Sequence, residues 1–181
     1  TNPYDFNSLV TDVVKILDSL KIKKAHFIGH SMGGFIVQLL GINYPERVLS
    51  MTSISSSTNS PTVPELPKKT WEIYTANKPN NDFENDLNGF LKVWEYLNGT
   101  AEFDKELAIK YTKDLYERQD INGALGETHV KSMHSLTDRT KELNKVKIPT
   151  LVMHGEEDYA MDKYGAIQTA ESLKNSKLII I

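Results

Sequence analysis

The chain has no cysteine, which excludes disulfides and thiolate metal sites. Lack of cysteine fits a reducing compartment, and a cytoplasmic location is expected on that ground alone. No apolar run approaches the roughly 18 residues that cross a bilayer. No secretory leader is legible, so no membrane partner is expected. An excess of one charge is also missing: 21 Lys and Arg face 24 Asp and Glu, for a net charge of -3. That leaves no electrostatic basis for binding nucleic acid. The five histidines are scattered. His129 and His134 stand five apart, not the four that would align them on a helix face, so no metal and no cofactor is expected.

What is present reads as an ordinary globular protein: 181 residues, 39% hydrophobic and 25% charged, within the range of one domain or one domain plus an insert. Phe6, Leu9, Val10, Val13, Val14, Ile16, Leu17 and Leu20 recur at helical spacing with one buried stripe. "KAHFIG" is a buried-strand candidate. "MGGFIVQLLGINYP" is a second helix, ending near Gly41 and Pro45, and "RVLSMTSISS" is strand-like again. Helix, strand, helix, strand argues for parallel βαβ units.

Three of the seven prolines, Pro61, Pro64 and Pro67, then fall together and mark the start of an insert. Residues 64 to about 140 read as mostly helical. Phe83, Leu87, Phe90, Leu91, Trp94 and Leu97 form one helical stripe. Phe103, Leu107, Tyr111 and Leu115 form another at four-residue steps. Both are expected to be core between packed helices. The alternation resumes with a strand at Ile148 to Met153, a helix in "MDKYGAIQTAESLKN", and a further strand in "SKLIII".

Gly29-His30-Ser31-Met32-Gly33 fits Gly-x-Ser-x-Gly. At roughly 7% for each fixed residue, a chain this long shows that pattern by chance about one time in sixteen. The context sharpens it: a strand candidate ends on Gly29 and a helix candidate begins at Met32 or Gly33. A serine between them needs a tight, strained turn that small neighbours permit. Such a turn pushes the hydroxyl beyond the strand end. It also sets Ser31 at a helix N-terminus, where unpaired N–H groups favour developing negative charge. The Met32 amide is the natural oxyanion donor. A plain strand-to-helix turn is the weaker reading. A phosphate loop is weaker still, because no Gly-Lys-Ser/Thr follows.

"FIGHSMGG" between strand and helix resembles the nucleophile elbow of the α/β-hydrolase fold. "IPTLVMHGEEDYAM" resembles that family's later strand and acid-bearing turn, and "DRTKELNKVKIPTLVMHGEED" is similar to the return from a helical cap into the core. The resemblance implies a parallel-sheet α/β-hydrolase core, incomplete at both ends, with a helical cap insert. Residues 1–60 and 141–181 would form the core and 61–140 the cap. It also implies a serine nucleophile at Ser31 and a triad acid at Asp158, in the family's Ser, Asp, His order. Glu156 and Glu157 adjoin Asp158, and three acids in a row are often a solvated turn. Asp162 is the fallback acid, although it also reads as an N-cap.

The family's histidine follows the next strand, which would place it beyond Ile181. None of the five histidines here is expected to be the base. His26 is expected to be packed in its strand. His30 is expected to support the turn or line the pocket. His154 ends the acid strand but is not at the base's place, and His129 and His134 fall in the insert. With Thr1 in place of Met at one end and a strand-like run at the other, both ends read as cut. These residues alone are expected to be nearly inactive, and unstable or associated through exposed strand edges.

The implied activity is an acyl-enzyme serine hydrolase acting on a carboxylic ester of a small or medium, largely apolar molecule. The same triad serves carbon–carbon bond hydrolases, lyases and cofactor-free haloperoxidases. A non-catalytic protein binding a ligand or partner, or an incomplete gene product, would also lack the histidine.

Overall fold

A computed structural model of the chain describes residues 5–80, 82–118 and 131–181. The chain divides into two compact units. The first comprises Thr1–Pro64, Thr128–Glu156 and Met161–Ile181; the second comprises Glu65–Glu127 and Glu157–Ala160. Among the described residues no helix is long and apolar enough to cross a membrane.

The first unit is an α/β layer. Its helix α1 (Phe6–Ser19) starts where the Asp5 carboxylate accepts the Ser8 amide at 2.8 Å, an N-cap that satisfies an otherwise orphan donor. Strand β1 (Ala25–His30) leads into helix α2 (Met32–Asn43), and strand β2 (Val48–Ile54) follows. The chain returns from the second unit through a short helix, Thr140–Leu143, into β3 (Thr150–His154). A helix at Lys163–Ser172 then leads to β4 (Ser176–Ile180). The four strands pair in parallel in the order β1-β2-β3-β4, with His30 opposite Ile54 and Ile54 opposite Met153.

Helix α2 is apolar almost all round because it packs on β1 and β2 on one side and α1 on the other. The core beneath it joins Val10, Leu40, Met51, Leu143 and Val152. A smaller cluster of Phe6, Leu9 and Phe35 lies beside it, with the rings of Phe6 and Phe35 edge to face at 6.0 Å. On β1 the residues alternate. Gly29 is buried while His26, Ile28 and His30 are exposed, Ile28 to 75%. The expectation that His26 is packed is thus wrong. It stands on the open face of an outer strand, where Nδ1 lies 2.7 Å from Ser50 Oγ on β2.

Among the described residues of this unit, one charge is buried. Arg139 is 2% exposed. Its Nη2 donates to the Ser57 carbonyl and Nη1 to the Thr137 carbonyl, each at 2.9 Å. Its Nε donates to Gln38 Oε1 of α2 at 3.3 Å, and the guanidinium lies 5.1 Å from the Phe35 ring centre. Burial pulls its pKa down to about 10, which leaves it charged at neutral pH. The cation therefore braces α2 against the segment after β2.

The second unit holds helices α3 (Lys68–Ala76), α4 (Phe83–Leu97) and α5 (Lys105–Arg118). Phe83 and Tyr116 pack edge to face at 4.9 Å between α4 and α5. The stripe Leu107, Tyr111, Leu115 is not core, as the spacing predicts, but exposed, Leu107 to 61%. The inward side of α5 is one step round, with Thr112 buried and Ala108 half-buried. Thr112 satisfies its own hydroxyl on the Ala108 carbonyl at 2.8 Å. Trp94 also stays partly exposed, against Tyr111 at 5.6 Å.

Truncating Arg139 strands a buried amide oxygen and two carbonyls. Arg139→Ala is expected to lower stability by about 2–4 kcal/mol, and Arg139→Lys to recover little, since an ammonium cannot span the fork. Chemical denaturation of the three proteins checks this.

The Asp5 carboxyl is held below its usual value of 3.8 by the Ser8 amide and hydroxyl. A depressed carboxyl stabilises the fold above the unfolded value and loses that effect as pH falls through the folded one. Asp5→Ser keeps a neutral cap. Thermal melts from pH 7 to pH 2.5 are therefore expected to show the wild-type advantage over Asp5→Ser shrinking below about pH 4.

Candidate active site

Ser31 sits between β1 and α2 at φ 52°, ψ -114°, a left-handed backbone that costs a non-glycine residue about 1–2 kcal/mol. Its amide donates to the Ile54 carbonyl of β2 at 2.8 Å, and its carbonyl accepts the Gly34 amide at 2.8 Å. The turn is thus the last rung of the sheet and the first of the helix at once. Ser31 is exposed, its side chain makes no capping bond, and Met32 opens the helix. The Met32 amide lies in the first turn, where no intrahelical acceptor exists. His30, Ser31 and Met32 therefore meet at one exposed corner of the first unit.

Two glycines make this corner possible. A Cβ on Gly29 would lie 2.0 Å from the Gly33 carbonyl oxygen, and one on Gly34 would lie 2.4 Å from Ser56 Cβ. Gly33, the closing glycine of the motif, would meet nothing within 4 Å. The glycine that sequence reasoning left out, Gly34, is the one that packs. Its only signal was the Gly33-Gly34 doublet.

Sequence reasoning also missed Ser55. It follows β2 at φ 46°, and its amide donates to the Met153 carbonyl of β3 at 3.0 Å. The Ser/Thr-rich run around it reads only as a strand end and loop.

Asp158 belongs to the second unit. It is half-buried, and its Oδ1 accepts the Ala160 amide at 2.8 Å. The phenol of Tyr74 is pushed up, first by burial and then by the Asp158 charge. The neighbouring acids have other partners. Glu156 pairs with Lys163. Glu157 accepts the Thr100 amide and hydroxyl, each at 2.7 Å, and these two bonds hold its carboxyl below the usual range. Asp162 caps its helix by accepting the Tyr164 amide at 2.8 Å, so the fallback acid has a structural task.

The histidines divide in the same way. His154 is 1% exposed, and its Nε2–H donates to the Met161 carbonyl at 2.8 Å. His134 lies exposed in the turn Met133–Ser135 of the first unit. His129 lies outside the described residues. A groove of about 440 Å³ lined by Gly41, Ile42, Pro45 and Ile148 opens at the other end of α2, roughly 18 Å from Ser31 at 1.5 Å per residue.

A family model described as the alpha/beta hydrolase fold matches residues 1–181, and the chain belongs to that family. Among curated relatives, the rhodomycin D methylesterase DnrP of Streptomyces peucetius is 25% identical over 99% of this chain and 66% of its own length. A 2-hydroxy-6-oxononadienedioate/2-hydroxy-6-oxononatrienedioate hydrolase of Paraburkholderia phymatum is 28% identical over 79% of this chain and 49% of its own. Among solved structures, the 2-hydroxy-6-oxo-6-phenylhexa-2,4-dienoate hydrolase of Rhodococcus sp. strain RHA1 superposes with a TM-score of 0.76. It is 18% identical, over 97% of this chain and 62% of that one. The chain thus spans two-thirds or less of these proteins.

The glycines separate by mutation. Gly29→Ala and Gly34→Ala each force backbone or a packed serine to move and are expected to cost about 1–3 kcal/mol. Gly33→Ala is expected to hold or raise stability, by up to about 1 kcal/mol. Thermal unfolding of the three variants decides the ranking.

Proposed function

We propose that the chain carries the nucleophile and acid of a serine hydrolase acting on a carboxylic ester of a small or medium, largely apolar molecule. The observation that carries this reading is Ser31: exposed, at φ 52°, at the N-cap of α2. Its Oγ attacks the ester carbonyl carbon and its proton passes to a histidine supplied from outside residues 1–181. The Met32 amide holds the oxyanion, and Asp158 orients the histidine. The alcohol leaves with that proton, and water then releases the acid from Ser31. His30 lines the pocket beside the nucleophile. The helical insert, 61–140 from the sequence, acts as the cap that sets specificity. The methylesterase relative supports the ester reading. The two dienoate-type hydrolases support a second one, carbon–carbon bond hydrolysis on the same residues.

In the complete protein a fluorophosphonate probe is expected to label Ser31, and Ser31→Ala to abolish labelling. Asp158→Asn is expected to slow it about a thousandfold or more, whereas Glu157→Gln changes it less than about twofold, because Glu157 is bonded to Thr100. Labelling that survives Ser31→Ala overturns the reading. Turnover of an alkyl ester against a vinylogous diketone separates esterase from carbon–carbon hydrolase.

A further inference from the structure

Among the described residues, four non-glycine residues have positive φ: Lys21, Ser31, Ser55 and Asn59. Two of them are serines that end adjacent parallel strands. His30 is opposite Ile54 in the register, so Ser31 and Ser55, the next residues, stand side by side. Each donates its amide to the neighbouring strand, Ser31 to Ile54 and Ser55 to Met153. Parallel strands lie about 4.8 Å apart, which sets the distance between the two backbones at this edge.

We propose, resting on the hydrolase reading above, that Ser55 is a specificity residue of the same site. Its hydroxyl hydrogen-bonds a substrate oxygen two to four bonds from the scissile carbonyl carbon. A left-handed position is best filled by glycine, which has no Cβ to strain. Serine there keeps a hydroxyl at a conformational cost. Ser55 is half-buried, and its hydroxyl makes no hydrogen bond to a described residue, whereas the next two serines, Ser56 and Ser57, are buried. The register sets the Ser55 backbone one strand spacing, about 4.8 Å, from that of Ser31. A hydroxyl can both donate and accept, so ether, keto or hydroxyl oxygens all fit. The substrate class narrows to largely apolar esters bearing one such oxygen within four bonds of the scissile carbonyl carbon.

The test uses the complete protein and two matched ester pairs that exchange one CH₂ for oxygen. They are p-nitrophenyl butyrate with p-nitrophenyl methoxyacetate, and butyl butyrate with 2-methoxyethyl butyrate. The readout is the ratio of kcat/KM for the ether over its alkyl partner. Ser55→Ala is expected to lower that ratio about three- to tenfold for at least one pair, the worth of one neutral hydrogen bond. Ser55→Gly is expected to lower it equally while its melting temperature holds or rises, since glycine relieves the backbone. Ratios unchanged in both variants overturn the proposal while leaving Ser31 as nucleophile. A ratio that falls in Ser55→Ala but not in Ser55→Gly also overturns it, since backbone geometry and not the hydroxyl would then be responsible. Turnover that persists in Ser31→Ala overturns the hydrolase reading and this inference with it.

Discussion

Everything at the candidate site depends on how closely β1 and α2 approach around Ser31. With no side chain at Gly29, the strand passes against the Gly33 carbonyl, at a distance where a Cβ would sit 2.0 Å away. That approach forces the reversal of direction to occur within one residue. The residue is Ser31, and its backbone takes the left-handed conformation because neither rung nor helix leaves it another. An exposed hydroxyl above a helix N-terminus is the result. The exposed corner therefore follows from a steric fact two residues earlier in the chain.

Such a corner holds its shape only if α2 is fixed. Hydrophobic contact on α1 and the sheet supplies most of that, but apolar packing is non-directional. The directional element is Arg139, whose fork joins Gln38 and Phe35 on α2 to the Ser57 carbonyl beyond β2. Ser56, in the same segment, closes against Gly34. A buried cation bonded to carbonyls and an amide specifies one arrangement of these pieces, since leaving any partner unpaired is expensive.

The acid turn shows how tertiary contacts distribute roles among similar residues. Glu156, Glu157, Asp158 and Asp162 differ little as a string of letters. In the fold, Glu156 meets Lys163, Glu157 meets Thr100, and Asp162 caps a helix. Asp158 is half-buried, and the Tyr74 phenol is pushed up first by its own burial and then by the Asp158 charge. The same sorting applies to the histidines: His154 is engaged at Nε2, while His26 stands on an open strand face.

The alternation of helices and strands in the first unit was legible in the chain, because period and turn residues are local properties. The sequence also showed the Ser31 corner, because a tight turn needs small residues at fixed spacing. It could not tell Gly33 from Gly34, or an inward from an outward stripe on α5. Those distinctions depend on what lies across the gap: Ser56 against Gly34, and the small pair Ala108 and Thr112 facing inward in place of Leu107 and Tyr111. Arg139 and Ser55 were likewise illegible. A lone arginine before a short helix reads as surface until partners from two distant segments, α2 and the residues after β2, surround it. A serine in a polar run gains meaning only from parallel register, which sets it beside Ser31 although 24 positions separate them in the chain.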